Sequence, residues 1–440
     1  MSDTATALLM FSSMMLLLLT GQRIFAVIGF VGAIFALFLW GVGGVQMPFT
    51  ATVTLMNWYP LLTLPLFIFM GYMLSESGIA GDLFEMLHVF MGPLPGGLAT
   101  GTIGLMMAIA ALNGLSVAGM AIGVSMALPE LRKRGYDKIM VTGVIQGGST
   151  LGIMIPPSVV LILYGMIARV PIGPLWLAGV FPGLLMSLLF ILYITIRCKL
   201  QPELAPPMPK EERAVGLKEK LRLLRAGVLP LAIIFLMTGL FVMGITSMVE
   251  MSAVGATAAF LATLIKGRMT RKVIHDTVRQ TLSISCMFMW VILAALSFGA
   301  IFNGLGAGNS LEALFVDQFG LGPWAILIIM MASFVVLGMF LDDTAMLIIV
   351  APLYVPLVID LGFNPIWFGI LYTITVQIAY ITPPFGYNLF LMRAMAPPDI
   401  SMGDIYRSVT PFVLLMVTGL AILMVFPEIA LWLPSLVYGG

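Results

Sequence analysis

Apolar stretches of about 20 residues recur from residue 5 to residue 433, and this feature restricts the fold more than any other. A helix of roughly 20 apolar residues is long enough to span a hydrocarbon core of about 30 Å. Only 9% of the 440 residues are charged and 60% are hydrophobic, which excludes a water-soluble globule. The sequence therefore predicts an all-α integral membrane protein without a soluble catalytic domain.

The basic residues are concentrated rather than scattered. Of the 21 Lys and Arg residues, 17 lie in three short segments, residues 131–138, 197–225 and 266–279. By the positive-inside rule all three segments are predicted to be cytoplasmic. Each segment adjoins an apolar span, so a nucleic-acid-binding role has little support. The first seven residues contain no Lys or Arg, unlike a secretory signal peptide, so the first apolar run is predicted to remain as a helix.

The two halves of the chain share an ordered set of helix-breaking residues at an offset of 227 positions. The shared positions are Pro129 and Pro356, the runs 135–137 (Gly-Tyr-Asp) and 362–364 (Gly-Phe-Asn), and the pairs Pro156-Pro157 and Pro383-Pro384. The loop of the first copy is basic, whereas that of the second has no basic residue. One loop is then inside and the other outside, which predicts two inverted repeats, an architecture of many secondary transporters.

Counting spans from these anchors gives about ten crossings plus two helical hairpins. The first repeat, residues 1–197, has spans at 5–20, 24–45 and 57–77, a hairpin at 97–131 that opens to the cytoplasm, a Pro-broken helix at 138–170 and a span at 175–197. A cytoplasmic linker covers residues 198–225. The second repeat, residues 226–440, has spans at 226–245, 249–265 and 280–303, a hairpin at 322–359 that opens outward, a Pro-broken helix at 367–395 and a span at 409–433.

This plan leaves only Arg169 among the basic residues on the outer side and predicts both termini to be periplasmic. Residues 138–170 are long enough for one broken crossing or two short ones. Two crossings would place the linker with its eight basic residues outside, so one is favoured. Helix count alone does not decide whether the hairpins turn back midway or cross fully. We favour re-entrant hairpins, by analogy with transporters that bind substrate at mid-depth.

Asp342, Asp343 and Thr344 lie at the centre of an otherwise apolar hairpin. An ionisable group at such depth costs on the order of 3 kcal/mol and usually lines an ion or substrate path. Carboxylate oxygens on a hairpin tip would suit a small cation; alternatively, the tip reaches water and the carboxylates are solvated. The first hairpin offers neutral oxygens from Asn113 and Ser116 beside Gly114, although the small residues there also suit helix packing.

The two Pro-Pro pairs lie in the segments GIMIPPS (152–158) and YITPPFG (380–386). Unwound backbone at mid-membrane frees carbonyl groups that bind sodium, and the N-termini of half-helices attract anions. A kink alone is common in membrane helices, but two breaks at matching positions, each facing a polar tip, indicate a function. They predict one cation site per repeat, with the substrate between the two.

The enzyme interpretation fails because the sequence lacks the required side chains. His88 and His275 are the only histidines, both near predicted cytoplasmic ends, and neither an HExxH nor a GxSxG motif is present. Cys198 and Cys286 have neither the spacing of metal ligands nor a disulfide pattern. No cofactor is therefore expected. A channel is harder to exclude, although inverted repeats with paired breaks suit alternating access better.

These residues carry a resemblance to a known family, the large membrane subunit of the tripartite ATP-independent periplasmic (TRAP) transporters. The resemblance covers nearly the whole chain. It rests on LGIMIPPSVVLILYG (151–165) with AGVFPGLL (178–185), and on GMFLDDTAMLIIVAPLYVP (338–356) with FGILYTITVQIAYITPPFGYNLF (368–390). The first tip departs from the family, whose members commonly have a Gly-Ser-Ser type sequence where this chain has Asn-Gly-Leu-Ser at 113–116.

The resemblance implies a sodium-coupled importer of small carboxylates with an elevator mechanism in a bacterial inner membrane. It also implies two partners, a small membrane subunit of about four helices and a periplasmic substrate-binding protein. The residues that would bind sodium are Asn113, Gly114, Ser116, Gly152, Pro156, Asp342, Asp343, Thr344, Thr382 and Pro383. The residues that would contact the substrate are Ser116, Ser158, Thr382, Asn388 and Arg393. A stand-alone anion transporter of similar fold is the alternative, and a channel is third.

Overall fold

The fold was analysed in a computed structural model, which describes residues 3–92, 94, 96–114, 116–206, 217–306, 321–339, 341, 343–384 and 386–439. Within these residues all regular structure is helical, which confirms the predicted all-α class. Six of the described helices are both long and apolar enough to cross a membrane, and several others are apolar but shorter. The chain is therefore a multi-pass membrane protein in which full-length spans alternate with short helices.

The described residues of the first half form helices α1 to α11. Their bounds are α1 Asp3–Leu19, α2 Ile24–Phe35, α3 Gln46–Met56, α4 Thr63–Glu76, α5 Ile79–Met91, α6 Gly97–Asn113, α7 Ser116–Ile122, α8 Leu128–Lys133, α9 Lys138–Thr150, α10 Val159–Ala168 and α11 Ile172–Leu200. Helices α6 to α8 make up the predicted first hairpin, with Gly114 at its tip. Helices α9 and α10 are the two parts of the first broken helix.

The described residues of the second half form helices α12 to α20. Their bounds are α12 Leu217–Val242, α13 Met248–Ile265, α14 Arg271–Gly304, α15 Pro323–Gly338, α16 Asp343–Asp360, α17 Pro365–Tyr380, α18 Tyr387–Met395, α19 Met402–Val425 and α20 Glu428–Tyr438. Helices α15 and α16 are the arms of the second hairpin. Helices α17 and α18 are the two parts of the second broken helix.

The helices pack in two groups. In one, α4 packs against α13 and α14, α2 packs against α14, and α12 packs against α13. The other contains the hairpins and broken helices: α6 packs against α9, α9 against α19, α10 against α16, and α17 against α15 and α19. Helix α5 contacts both α6 and α12 and so lies between the groups. The hairpins and broken helices thus pack mainly with one another and with α11 and α19.

The structure explains why the Gly-aromatic-Asx run repeats. Gly135 and Gly362 both have φ near +80°, the left-handed conformation that ends a helix. The amides of Tyr136 and Phe363 bond back to the carbonyls of residues 131 and 358, which are themselves 227 positions apart. Asp137 then caps α9 by accepting from the Met140 amide at 2.9 Å, and Asn364 caps α17 by accepting from the Ile366 amide at 2.8 Å. The repeated residues therefore make the same connection between hairpin and broken helix in both halves.

Two predicted spans end differently in the structure. The span predicted at 24–45 is α-helical to Phe35 and continues as a π-helix to Trp40; Gly41 then takes φ +71° and starts a 3₁₀ helix over 41–45 that leads into α3. The span predicted at 409–433 is two helices. Pro427 disfavours helical geometry at the residue before it, so Phe426 is non-helical, α19 ends at Val425 and α20 starts afresh.

Two further differences concern segments outside the predicted spans. Helix α12 begins at Leu217, inside the predicted linker 198–225, while linker residues 207–216 lie outside the described part of the chain. Helix α5 was not predicted at all. It is amphipathic and carries Asp82 and Glu85, so a search for uninterrupted apolar runs passes over it.

Candidate functional site

The tip of the first hairpin lies directly against the first Pro-Pro break. Gly114 has φ +68°, and a Cβ added to it would lie 2.2 Å from the carbonyl oxygen of Pro157. The amide of Val159 donates to the Gly114 carbonyl at 3.4 Å, a long hydrogen bond. Only glycine tolerates both the left-handed backbone and this close approach. The sequence thus brings together two of the features that were predicted to form the first ion site.

The first break is closed by Ser158. Helix α9 ends at Thr150 and is followed by a 3₁₀ turn over 151–153, and the Pro156-Pro157 bond is cis. The buried Ser158 hydroxyl donates to the Ile153 carbonyl at 2.5 Å and accepts from the Leu161 amide at 3.1 Å, which caps α10. The hydroxyl therefore joins the two sides of the break. The predicted substrate contact of Ser158 would have to share a hydroxyl that already caps a helix.

A buried polar cluster connects the two halves at this point. The Asn388 side-chain amide, in the first turn of α18, donates to the hydroxyl of Ser116 at 3.0 Å and to that of Ser149 at 3.2 Å. Ser149 in turn donates to the Gln146 carbonyl at 2.8 Å. Asn388, Ser116 and Ser149 are each at most 3% exposed. Polar groups at such depth are costly unless paired, so the cluster fixes the first hairpin against both broken helices.

The second break is more open. Pro383 and Pro384 are exposed, whereas Pro157 is buried. The Thr382 hydroxyl donates to the Ile378 carbonyl at 2.5 Å, and the Tyr406 hydroxyl donates to the Pro384 carbonyl at 3.1 Å. The Pro383-Pro384 bond is cis, as in the first break.

The predicted second tip is only partly visible. Asp342 lies outside the described residues, and of Asp343 and Thr344 the structure describes the helical backbone at the start of α16 but not the side chains. Their predicted contact with Thr382 and Pro383 therefore stays a prediction. In the first tip the same holds for the side chain of Asn113, which ends α6. Gly152 is buried within the 3₁₀ turn of the first break, and Pro156 is half-buried.

The family model of the tripartite ATP-independent periplasmic transporter, DctM component, matches residues 11–429. The chain belongs to this family. The C4-dicarboxylate TRAP transporter large permease protein DctM of Vibrio cholerae is 32% identical over 404 residues, with 87% of each chain covered. The protein of the same name from Pseudomonas aeruginosa is 30% identical over 378 residues, with 86% of each covered. The ectoine/5-hydroxyectoine TRAP transporter large permease protein UehC of Ruegeria pomeroyi is 28% identical over 382 residues, again with 86% covered.

Among solved structures, the Alcanivorax borkumensis YdaH transporter superposes with a TM-score of 0.65 over 89% of both chains. The identity is 15%, so this likeness concerns the fold alone. A crystal structure therefore exists for a transporter with this arrangement of helices.

Two residues of the chain contact each other at positions that the repeat offset relates. The buried Gln377 amide donates to the Thr150 carbonyl at 2.9 Å, and the two residues are 227 positions apart. The Thr150 carbonyl is at the end of α9, where the break removes its usual partner within the helix. Sequence reasoning missed both Gln377 and Ser149. Searching for polar residues just before each Pro-Pro pair would have found them.

Arg393 lies apart from the buried cluster. It is exposed in the last turn of α18 and donates to the Ile400 carbonyl at 3.4 Å. Nearby segments of the two halves are joined by ion pairs, Arg132 with Asp399 and Lys138 with Asp404, both at 2.7 Å. The hydrogen bond from Arg132 lowers the pKa of the Asp399 carboxyl. The structure therefore does not bring Arg393 together with Ser116 and Asn388, and its contact with the substrate stays a prediction.

Among the described residues, no group of three or more His, Cys, Asp or Glu side chains is placed to hold a metal ion. Sodium in transporters is often bound by backbone carbonyls and neutral hydroxyls instead. The site around Gly114 is rich in such oxygens. The carbonyl and hydroxyl oxygens of the described residues there are of the chemical type that a monovalent cation prefers.

Proposed function

We propose that this DctM-family chain is the permease of a sodium-coupled secondary transporter that imports a small carboxylate. The observation that carries the proposal is the contact between Gly114 and Pro157 beside the buried Asn388 cluster. It joins a hairpin tip, a helix break and the start of a half-helix, which are the parts from which such transporters build ion and substrate sites. A stable, apolar-only core would have no need for this buried polar cluster.

The proposed sodium sites follow the two tips and breaks. The first consists of Asn113, Gly114 and Ser116 with residues 152–156, and the second of residues 342–344 with Thr382 and Pro383. Hard neutral or anionic oxygens such as carbonyls, hydroxyls and carboxylates suit a small hard cation. The N-termini of α10 and α18, which follow the two breaks, carry partial positive charge that favours a carboxylate between the sites.

We further propose that the two halves are inverted repeats that move as an elevator. Residues related by a two-fold axis touch their own equivalents only near that axis, and Gln377 contacts Thr150 at the offset of 227. The matching caps at Asp137 and Asn364 support the same relation. The two packing groups supply a candidate mobile unit and a candidate scaffold.

The partners and the location are also proposals. A tripartite transporter has three components, of which this chain is one. We propose that the others are a small membrane subunit of about four helices and a periplasmic binding protein that delivers the substrate. The membrane is then the bacterial inner membrane, with both termini periplasmic. The relatives are named as transporters of C4-dicarboxylates and of ectoine. An uptake assay with several small organic acids therefore has to identify the substrate.

The first experiment measures the melting temperature of the purified protein during titration with sodium and, separately, with potassium. A ligand that binds only the folded state stabilises it by RT ln(1 + [L]/Kd), about 2.7 kcal/mol at 100 times Kd. We expect a rise specific to sodium in the wild type and a weaker rise for Asp342→Asn. Asp360→Asn, which removes an exposed carboxylate from the same hairpin, is the matched control and should respond like the wild type.

A second experiment tests the partners. Uptake into proteoliposomes is measured with and without the co-expressed small subunit and binding protein, using a panel of radiolabelled carboxylates. Uptake that requires the partners and a sodium gradient supports the proposal. Full uptake by this chain alone would favour a stand-alone transporter, and an ion current independent of any gradient coupling would favour a channel. If neither the melting temperature nor the uptake responds specifically to sodium, sodium coupling is rejected.

A further inference from the structure

A cleft of about 500 Å³ lies between the two helix groups, and its lining includes none of Asn388, Ser116 and Ser149. Its walls come from the end of α10, the last turns of α14 and the second half of α16. Small residues such as Gly299 and Ala300 leave the space open. The volume is within the range of pockets that take small organic molecules.

Arg169 at the edge of this cleft has an unusual backbone. Its φ is +56°, and it is the only residue other than glycine with a positive φ in the described part of the chain. Side chains such as Arg rarely adopt this conformation, which glycine takes without strain. Residues with strained backbone conformations concentrate at functional sites, where the side chain is needed although its backbone conformation is unfavourable. Glycine would therefore be more stable than arginine at this position after α10, which indicates that the guanidinium has a function.

The charges around the cleft are few and distinct. Arg169 and Asp360 both line it and are both exposed, and Asn303 adds a neutral polar group. Neither charged residue takes part in the ion pairs found between described residues. Under the proposed topology Arg169 is the only basic residue on the outer side of the membrane. The one basic side chain that an anion meets on this face therefore lies in the cleft.

The cleft is also connected to the proposed transport site. Helix α10 starts at the cap Ser158, beside the first break, and ends at the cap Arg169. Its ten residues span about 15 Å. One end of this helix thus contributes to the proposed site, and the other end lies at the outer cleft.

We propose that this cleft is an anion-binding vestibule in which Arg169 receives a small organic anion on the outer face before it reaches the proposed site. The guanidinium binds a carboxylate or sulfonate group, and the apolar walls accommodate the carbon skeleton. The carboxylate of Asp360 repels the anion and weakens its binding to Arg169, so that the anion is released toward the proposed site. The inference rests on the proposed function, since it needs the outward orientation and an anionic substrate.

The test measures the potential in the cleft and needs no transport. A cysteine is placed by Ala300→Cys in a Cys286→Ser background, with the protein in nanodiscs of zwitterionic lipid. Its modification rates by an anionic sulfonatoethyl and a cationic trimethylammonioethyl methanethiosulfonate are compared. A unit charge roughly 7 Å away in water changes the anion-to-cation rate ratio by about sevenfold. We expect a fall of that size for Arg169→Gly and none for Arg169→Lys.

Arg169→Gly is chosen because it relieves the backbone at φ +56°, so a loss of charge is not confused with misfolding. Asp360→Asn should raise the ratio. Ile265→Cys, at the exposed end of α13 on the predicted cytoplasmic side, is the control position at which Arg169→Gly should change nothing. A ratio at residue 300 that Arg169→Gly leaves unchanged would overturn the vestibule. If the wild-type protein shows no carboxylate uptake, the proposed function fails. The modification rates at Ala300→Cys still show whether Arg169 sets the potential in the cleft.

Discussion

Replacing Gly114 by alanine is the sharpest test of the contact between the first tip and the first break. Gly114 needs the left-handed conformation, which costs an alanine about 1 kcal/mol. The added Cβ would also lie 2.2 Å from the Pro157 carbonyl oxygen, and side-chain carbons do not approach other atoms closer than 3.0 Å. The tip must therefore move by at least 3.0 − 2.2 = 0.8 Å. Overpacking of this kind typically costs a further 1–3 kcal/mol.

Gly135→Ala is the matched control. Gly135 has φ +80°, so it carries the same backbone cost, but its nearest neighbour to an added Cβ is the Pro206 ring at 3.7 Å, an ordinary contact. The difference between the two variants isolates the contact with Pro157. We expect Gly135→Ala to keep the sodium-dependent rise in melting temperature. Gly114→Ala should lose most of that rise, because a shift of 0.8 Å displaces the oxygens at the proposed ion site.

The assay is the sodium titration of melting temperature, followed by sodium-driven uptake in proteoliposomes. An affinity loss of 1.4 kcal/mol corresponds to a tenfold higher sodium concentration at half effect. The strain of about 1–3 kcal/mol should lower the melting temperature of Gly114→Ala without sodium. If sodium binding requires the displaced tip to return to its original position against this strain, the sodium concentration at half effect should rise roughly 5-fold to more than 100-fold relative to Gly135→Ala. If the two variants bind sodium and transport equally, the tip does not pack on the break as described and the reasoning is refuted.

Three further predictions follow from the same contacts. Asn388→Leu should remove sodium-driven uptake, because two buried hydroxyls lose their shared donor; uptake at the wild-type rate would show that the buried cluster is not part of the site. Gln377→Met keeps the size but cannot donate to the Thr150 carbonyl, so a loss of about 1–3 kcal/mol should appear as a lower melting temperature. The hydrogen bond from Arg132 lowers the pKa of the Asp399 carboxyl in the folded protein. The ionised carboxylate therefore stabilises the fold above the ordinary pKa of 3.8, and this stabilisation is lost as the pH falls through the lowered pKa. Asp399→Asn should weaken this acid-side loss in melting curves recorded from about pH 3 to pH 6.

The local connections were predictable because they depend on residues with strong backbone preferences. Pro156-Pro157 and Pro383-Pro384 interrupt helices wherever they occur, and the glycines at 135 and 362 end helices for conformational reasons. The backbone preference of proline also explains the last span, which was predicted as one helix although Pro427 divides α19 from α20. Apolar periodicity gave the spans but passed over α5, whose acidic residues interrupt the run.

The contacts that make the site were not predictable in this way. Asn388 and Ser116 are 272 positions apart, and Asn388 and Ser149 are 239 apart, so no local pattern pairs them. What the sequence supplied was the identity of the elements that meet in the first half, a hairpin tip and a helix break. Which side chain of each element faces the partner depends on helix rotation, and that depends on packing over the whole interface.

The unequal exposure of the two breaks has a meaning for the proposed mechanism. If inverted repeats relate them, Pro157 and Pro384 occupy equivalent positions, so the burial of one and the exposure of the other indicate that the two halves are in different conformations. Tyr406, which bonds to the Pro384 carbonyl, lies in the second turn of α19, close to the end where Lys138 pairs with Asp404. That end adjoins the basic segment 131–138, which the positive-inside rule places in the cytoplasm. Under the proposed orientation the exposed break therefore faces inward, and an outward-facing state would exchange the exposure of the two breaks.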